Sequence, residues 1–78
     1  MRKKPPELVE LGRRIRAARA ALGFSQEGLA NESEIDRSYI GGVERGERNL
    51  TFAVLCRIAV ALRCDVAALT KDLPRGRR

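Results

Sequence analysis

Apolar residues recur every three or four positions near the start of the chain, which is the spacing of one face of an α-helix. The residues of this stripe are Leu8, Leu11, Ile15, Ala18 and Leu22. Gly23 follows the stripe and suits the left-handed position that closes a helix. The pattern predicts a first helix over 7–22, with Arg13, Arg14 and Arg16 off the stripe and facing water.

Three later helix starts share one pattern, in which a polar residue that can cap the helix lies between apolar residues that can pack on each other. The capping residues are Ser25, Asp36 and Thr51, flanked by Phe24 with Leu29, Ile35 with Ile40, and Leu50 with Leu55. These starts predict helices over 26–33, 37–45 and 52–62. Gly46 is the natural stop for the helix over 37–45.

The end of the chain predicts one further, short helix, which Asp65 can cap and which Pro74 ends. In the helix before it, one face carries the predicted core residues Phe52, Leu55, Ile58, Ala59 and Leu62. No stretch alternates as a strand would. The sequence therefore predicts an all-α, five-helix domain over 7–73, between flexible basic ends at 1–6 and 74–78.

The net charge of the chain lies at its two ends. Lys and Arg total 16 against 10 Asp and Glu, a formal net charge of +6, and the pI is about 10.4. Residues 1–4 and 75–78 each hold three bases and no acid, so residues 5–74 are formally neutral. A basic chain favours a polyanionic partner, and nucleic acid is the first candidate.

The composition excludes several kinds of protein. A chain of 78 residues forms one small domain with little room for an enzyme cleft. With no His, it lacks Ser-His-Asp and Cys-His arrangements and His-ligated metal sites, and Cys56 and Cys64 are too few for a structural zinc site. No apolar run approaches the roughly 20 residues that span a bilayer. We therefore expect a cytoplasmic protein that is not an enzyme, with no metal, cofactor, small-molecule ligand or membrane partner.

The stretch 25–49 carries the most specific pattern. Only a few residues separate its two predicted helices, which forces a sharp crossing between them. Ala30 lies where the helices approach, and Ile40 and Val43 give the second helix a buried edge. A small residue followed by branched aliphatics at this spacing is typical of a helix-turn-helix, although structural bundles also contain such hairpins.

Two runs in this stretch resemble those of a known family. Leu22-Gly23-Phe24-Ser25-Gln26-Glu27-x-Leu29-Ala30 and Ser38-Tyr39-Ile40-x-x-Val43-Glu44-Arg45-Gly46-x-Arg48-Asn49 are similar to the phage-repressor and Cro (XRE) class of helix-turn-helix regulators. The match covers roughly 8–70. Within the class, the run from Asp36 to Thr51 most resembles the controller proteins of restriction–modification systems. The resemblance implies a repressor-like fold and binding to double-stranded DNA.

The resemblance also implies roles for individual residues. The helix end that enters the major groove carries the base readers Arg37, Ser38 and Tyr39, and arginine can bond guanine O6 and N7 together. Backbone phosphates are held by Ser25, Gln26, Arg45, Arg48 and Asn49. Free amide donors at a helix N-terminus give the first two of these a physical basis. Arg19 and Glu44 match a structural pair that bridges the first and third helices.

The chain departs from the family pattern at four positions. Glu34 replaces the usual Gly of the turn, and Gly28 weakens its helix by roughly 1 kcal/mol. Gly41 and Gly42 fall inside the recognition helix, and Gly42 takes a position from which several relatives contact a base. Readout then concentrates on Arg37 and Ser38 or shifts to DNA shape, or the glycines let the helix approach DNA closely.

A single module reads few base pairs, so we expect a homodimer on a two-fold-related operator. Its predicted interface comprises apolar residues beyond what a small core needs: Val60, Val66, Leu69 and Leu73. Resemblance to controller proteins implies transcriptional control of a restriction–modification operon, with RNA polymerase as a further candidate partner. The alternative is a protein–protein adaptor or antitoxin-like partner that keeps the fold, and weak salt dependence of any DNA binding would support it.

Overall fold

Five α-helices follow one another along residues 3–74, the part of the chain that the computed structural model describes. Their bounds are α1 Pro6–Ala21, α2 Gln26–Ser33, α3 Arg37–Glu44, α4 Phe52–Ala61 and α5 Val66–Thr70. The described residues contain no strand. The all-α, five-helix prediction is confirmed, and the predicted ends of the first four helices differ from the structure by at most one residue. The charges of Arg2, Arg75, Arg77 and Arg78 lie outside the described residues.

Local capping explains most of the helix starts. The side chains of Ser25, Thr51 and Asp65 each accept a hydrogen bond from the backbone amide three residues later, at 2.9, 3.1 and 2.9 Å respectively. The predicted cap at Asp36 is wrong, because its side chain accepts no hydrogen bond from a backbone amide of α3. The Asp36 carboxylate instead accepts the hydroxyl hydrogen bond of Ser38, at 2.6 Å.

All five helices contribute to one core. Its buried apolar residues are Leu11, Ile15, Leu29, Ala30, Ile40, Val43, Leu55, Ile58, Ala59, Ala61, Leu62 and Leu69. Two predictions about the last two helices are wrong. Phe52 is 71% exposed, since it is the first residue of α4 and extends past the edge of the core. Leu69, expected to be surplus to the core, is only 3% exposed because α5 folds back to close it.

The first and third helices come into backbone contact. A Cβ atom at Gly12 would lie 2.4 Å from the carbonyl oxygen of Val43, so no larger residue fits without displacing α3. Gly46 follows α3 with a φ of +76°, the left-handed conformation that suits a helix stop. A Cβ atom there would lie 2.8 Å from the Cα of Val9. Glycine at both positions therefore sets α3 tightly against α1.

Arg14 connects α1 to the residues at the end of α5. The sequence pattern predicts that Arg14 faces water, and this prediction is wrong, because its side chain is only 16% exposed. Its Nη1 donates to the carbonyl oxygens of Leu69 and Lys71, at 3.1 and 2.7 Å, while its Nε pairs with Glu10 at 2.9 Å. The guanidinium thus satisfies carbonyls at the end of α5 that the short helix leaves without a partner.

Candidate nucleic-acid interface

A tight turn sets α2 across α3. Glu34 adopts the left-handed conformation, with φ 58° and ψ 42°, so a non-glycine residue does occupy the turn position. The amide of Ile35 donates to the carbonyl of Ala30 at 3.0 Å, which closes the end of α2. Nη2 of Arg57 donates to the carbonyl oxygens of Ser33 and Glu34. The turn is therefore attached to α4 as well as to the helices that it joins.

The third helix has one buried side and one exposed side. Ile40 and Val43 are almost fully buried, and they fix the helix against the core as the sequence predicts. Arg37 and Ser38 lie exposed in its first turn, and Tyr39 is half-buried against the core edge. The three predicted base readers are thus adjacent in the first turn of one helix, with Arg37 and Ser38 exposed and Tyr39 only partly so.

Two arginines from the loop after α3 fold back over its glycines. A Cβ atom at Gly42 would lie 3.0 Å from Cγ of Arg48, and one at Gly41 would lie 3.1 Å from Nη1 of Arg45. The guanidinium carbon of Arg48 lies 4.9 Å from the centre of the Tyr39 ring, a cation–π arrangement. The space that the glycines leave is therefore occupied by positively charged side chains of the same chain.

The predicted pair of Arg19 and Glu44 is formed, and it includes a third residue. Arg19 Nε and Nη2 donate to the two oxygens of Glu44 at 2.6 and 3.0 Å, and Arg19 Nη1 donates to the carbonyl of Phe24 at 3.0 Å. Gln26 Nε2 also donates to Glu44, at 3.0 Å. One carboxylate therefore ties together α1, α2 and α3, and it orients the Gln26 amide at the start of α2.

The environment of Glu44 keeps it ionised. Its side chain is 2% exposed, and this burial raises the pKa of Glu44. The hydrogen bonds from Arg19 and Gln26 lower the pKa, and together with the nearby positive charges they outweigh the effect of burial. The net result is a pKa below the usual value for glutamate. The same contact raises the pKa of Arg19. Both groups are charged at neutral pH, so the network is an ion pair of Arg19 and Glu44 to which the Gln26 side chain adds a hydrogen bond.

A second charged cluster follows α3 at the surface. Glu47 accepts from Arg45 Nε at 3.0 Å and pairs with Lys4 Nζ at 3.3 Å. Lys4 Nζ also donates to the carbonyl oxygen of Arg45, at 2.9 Å. Hydrogen bonds from Arg45 and Lys4 lower the pKa of Glu47. Asn49 is exposed nearby and lines the same open groove as Lys4 and Glu47.

The structural roles of Lys4, Glu47 and Arg57 are not visible in the local sequence pattern. Lys4 lies 41 positions from Arg45, and Arg57 lies 23 positions from Glu34, so no helical spacing relates them. In the sequence, Lys4 stands out only as one charge of a basic end. A local sequence pattern cannot indicate such contacts, because chain folding alone brings the partners together.

The four residues predicted for a subunit interface differ in exposure. Val60 is 76% exposed, whereas Val66 and Leu73 are half-buried against the core and Leu69 is inside it. The exposed apolar surface of α4 therefore includes Val60 and, two turns earlier, Phe52. Within residues 3–74, no helix is long and apolar enough to cross a membrane, and no group of three His, Cys, Asp or Glu side chains could hold a metal ion.

This arrangement, with a tight turn between two short helices and an exposed basic end on the second, defines a helix-turn-helix domain. The chain belongs to the helix-turn-helix family, whose model matches residues 15–69. It is 44% identical to the control protein C.SmaI of Serratia marcescens over 59 residues, which cover 76% of this chain and 70% of that protein.

Solved structures agree with this assignment. The controller protein C.AhdI of Aeromonas hydrophila superposes with a TM-score of 0.78 and 48% identity, over 80% of this chain and 94% of that one. The restriction–modification controller protein C.Esp1396I, solved as a tetramer with its natural 35-base-pair operator, gives a TM-score of 0.74 and 37% identity, over 80% of this chain and 82% of that one. The resemblance to restriction–modification controller proteins is confirmed.

Proposed function

We propose that this protein is a sequence-specific, DNA-binding transcription regulator that acts as a homodimer and controls a restriction–modification operon. The observation that carries the proposal is the set of exposed arginines on α3 and in the loop that follows it. Arg37 lies at the surface in the first turn of α3, and Arg45 and Arg48 lie at the surface beyond its last residue. The buried side chain of Glu44 fixes the helix between them. The operator complex of C.Esp1396I supports the same binding mode for this chain.

Contacts to the DNA backbone come from both ends of the helix pair. At the start of α2, Gln26 donates one amide hydrogen to Glu44, which leaves the second amide hydrogen available for a phosphate oxygen. The hydroxyl of Ser25 accepts from the amide of Gly28, so its own hydrogen remains available as a donor. The partially positive N-terminus of α2 favours the anion further. Arg45 and Asn49 bind phosphate from beyond α3.

Base recognition is assigned to the first turn of α3. Arg37 presents a guanidinium that fits the O6 and N7 atoms of guanine, and each such pair contributes about 1–3 kcal/mol of discrimination. Ser38 and Tyr39 complete the reading surface. Arg48 lies against Tyr39 and covers Gly42. The absence of a side chain at Gly42 thus makes room for Arg48, whose positive charge is proposed to contact the DNA backbone.

The decisive experiment compares two arginine variants. Arg37→Ala should relax base preference at one position of each half-site, and Arg48→Ala should weaken binding to all sequences and reduce the salt dependence. The control is Arg13→Ala, which removes one positive charge from α1, away from the proposed interface. In the described structure the Arg13 side chain is paired only with Glu10. Selection of bound duplexes from a random library gives the preference, and titrations at several salt concentrations give the slope.

The results separate the proposal from its rival. If Arg37→Ala retained both operator affinity and base preference, α3 would not be the reading helix. If wild-type binding to DNA were weak and independent of salt, the adaptor interpretation would replace the regulatory one, because phosphate contacts release counterions. Restriction and modification genes beside the coding region would support control of that operon.

The homodimer is proposed to form through the apolar side of the last two helices. Val60 is the predicted interface residue that lies most exposed, and Phe52 extends the apolar surface along α4. Val60→Glu should give a monomer in analytical ultracentrifugation and reduce operator affinity. Ala17→Glu, at an exposed position of α1, is the matched control and should leave the dimer intact. A dimeric Val60→Glu variant would place the interface elsewhere.

A further inference from the structure

Glu47 is an acid in the midst of the surface proposed to meet DNA phosphates. It holds two cations at once: Arg45 Nε lies 3.0 Å from one carboxylate oxygen, and Lys4 Nζ lies 3.3 Å from the other. Lys4 is further fixed by its hydrogen bond to the carbonyl of Arg45. All three side chains are substantially exposed, with fractions of 48%, 58% and 42% for Lys4, Arg45 and Glu47.

A phosphate diester and a carboxylate offer these cations the same chemistry, namely two oxygens that share one negative charge. A backbone phosphate close enough to bond both Lys4 and Arg45 must therefore displace the Glu47 carboxylate or meet its repulsion. Exposed ion pairs of this kind contribute little to stability, so they can be exchanged without disturbing the fold.

We propose that Lys4 and Arg45 form one phosphate-binding site, and that Glu47 occupies it in the free protein and is displaced when DNA binds. The inference rests on the proposed function and extends it to two residues to which the family motif assigns no role. Lys4 thereby becomes part of the interface, and Glu47 becomes an intramolecular competitor that weakens binding to DNA of any sequence.

The test is a double-mutant cycle on DNA binding with Glu47→Gln, Lys4→Met and the combined variant. Operator and random-sequence duplexes are titrated at several salt concentrations. Glu47→Gln should bind both duplexes about fivefold tighter at low salt, and its slope of log affinity against log salt should be steeper by about 0.9 for each protomer. In the Lys4→Met background the same change should raise affinity only about twofold, because one of the two competing pairs is already absent.

Asp72→Asn is the matched control, since it removes one negative charge from an exposed residue beyond α5 and asparagine accepts the positive φ at that position. It should change affinity much less than Glu47→Gln. An equal gain from Asp72→Asn, or a gain from Glu47→Gln that Lys4→Met does not reduce, would overturn the exchange and leave net charge as the cause. If the wild-type protein binds its operator and Glu47→Gln binds with the same affinity, this inference is refuted but the proposed function is not. Failure of the wild-type protein to bind DNA would refute the proposed function as well.

Discussion

Neutralising Glu44 should destabilise the whole domain. In Glu44→Gln the Arg19 guanidinium keeps its charge and its bond to the carbonyl of Phe24, but it loses the buried carboxylate that compensates it. Breaking a buried ion pair from one side costs about 3–5 kcal/mol. Because Arg19 remains 14% exposed and Gln retains one acceptor oxygen, we expect the lower limit, about 3 kcal/mol. At about 0.05–0.15 kcal/mol per residue, that is a quarter or more of the total stability of so small a domain.

Urea denaturation followed by helical circular dichroism measures this loss, and a cycle with Arg19→Met separates the pair from its members. The double variant Arg19→Met, Glu44→Gln should be more stable than the sum of the single losses predicts, because no charge is then left without a partner. A loss below 1 kcal/mol for Glu44→Gln, or strictly additive single losses, would refute the view that the pair holds the three helices together.

The same pair gives a pH dependence whose sign follows from the lowered pKa of Glu44. A group with a lower pKa in the folded state contributes its full stabilisation above the unfolded-state pKa and loses it as the pH falls through the folded-state value. The stability advantage of the wild-type protein over Glu44→Gln should therefore be largest at neutral pH and shrink in acid. An advantage that stayed constant down to the pH of acid unfolding would contradict the pKa shift.

Three further substitutions test the backbone geometry, each by the urea midpoint. Gly12→Ala should cost about 2 kcal/mol or more, because its Cβ meets the Val43 carbonyl at 2.4 Å, and a neutral result would contradict that approach. Glu34→Gly should stabilise the fold by up to about 1 kcal/mol by relieving a left-handed residue, and a clear loss would show that the Glu34 side chain itself contributes. Arg57→Met should cost about 1 kcal/mol by freeing two carbonyls at the end of α2, whereas an unchanged midpoint would mean that water replaces the guanidinium fully.

Much of the fold could be predicted because it depends on neighbours in sequence. Ser25 and Thr51 cap helices whose predicted starts agree with the structure, and Gly46 ends α3 as expected. Ile40 and Val43 lie buried because helical spacing alone decides which side of a short helix faces inward. The family resemblance added the pair of Arg19 and Glu44, which spacing along the chain does not indicate.

The predictions that are wrong, and the contacts that were not predicted, involve residues far apart in the sequence. Phe52 matches the apolar spacing of α4, but the core ends before it, and only the packing of the other helices decides where a core ends. Arg14 matches an exposed position on α1, yet α5 brings two carbonyls to its guanidinium. Lys4 and Glu47 are paired for the same reason. Periodicity describes each helix alone, so it cannot anticipate contacts that depend on how helices are placed together.

The separation of roles on α3 has a consequence for how this domain can change. Arg37 and Ser38 take no part in the core, while Ile40, Val43 and Glu44 hold the helix in place. If these two positions read bases as proposed, new side chains there can alter the preferred operator without loss of folding. A regulator built in this way can follow mutations in its own binding site one substitution at a time, and a library randomised at those positions should yield folded proteins with new preferences.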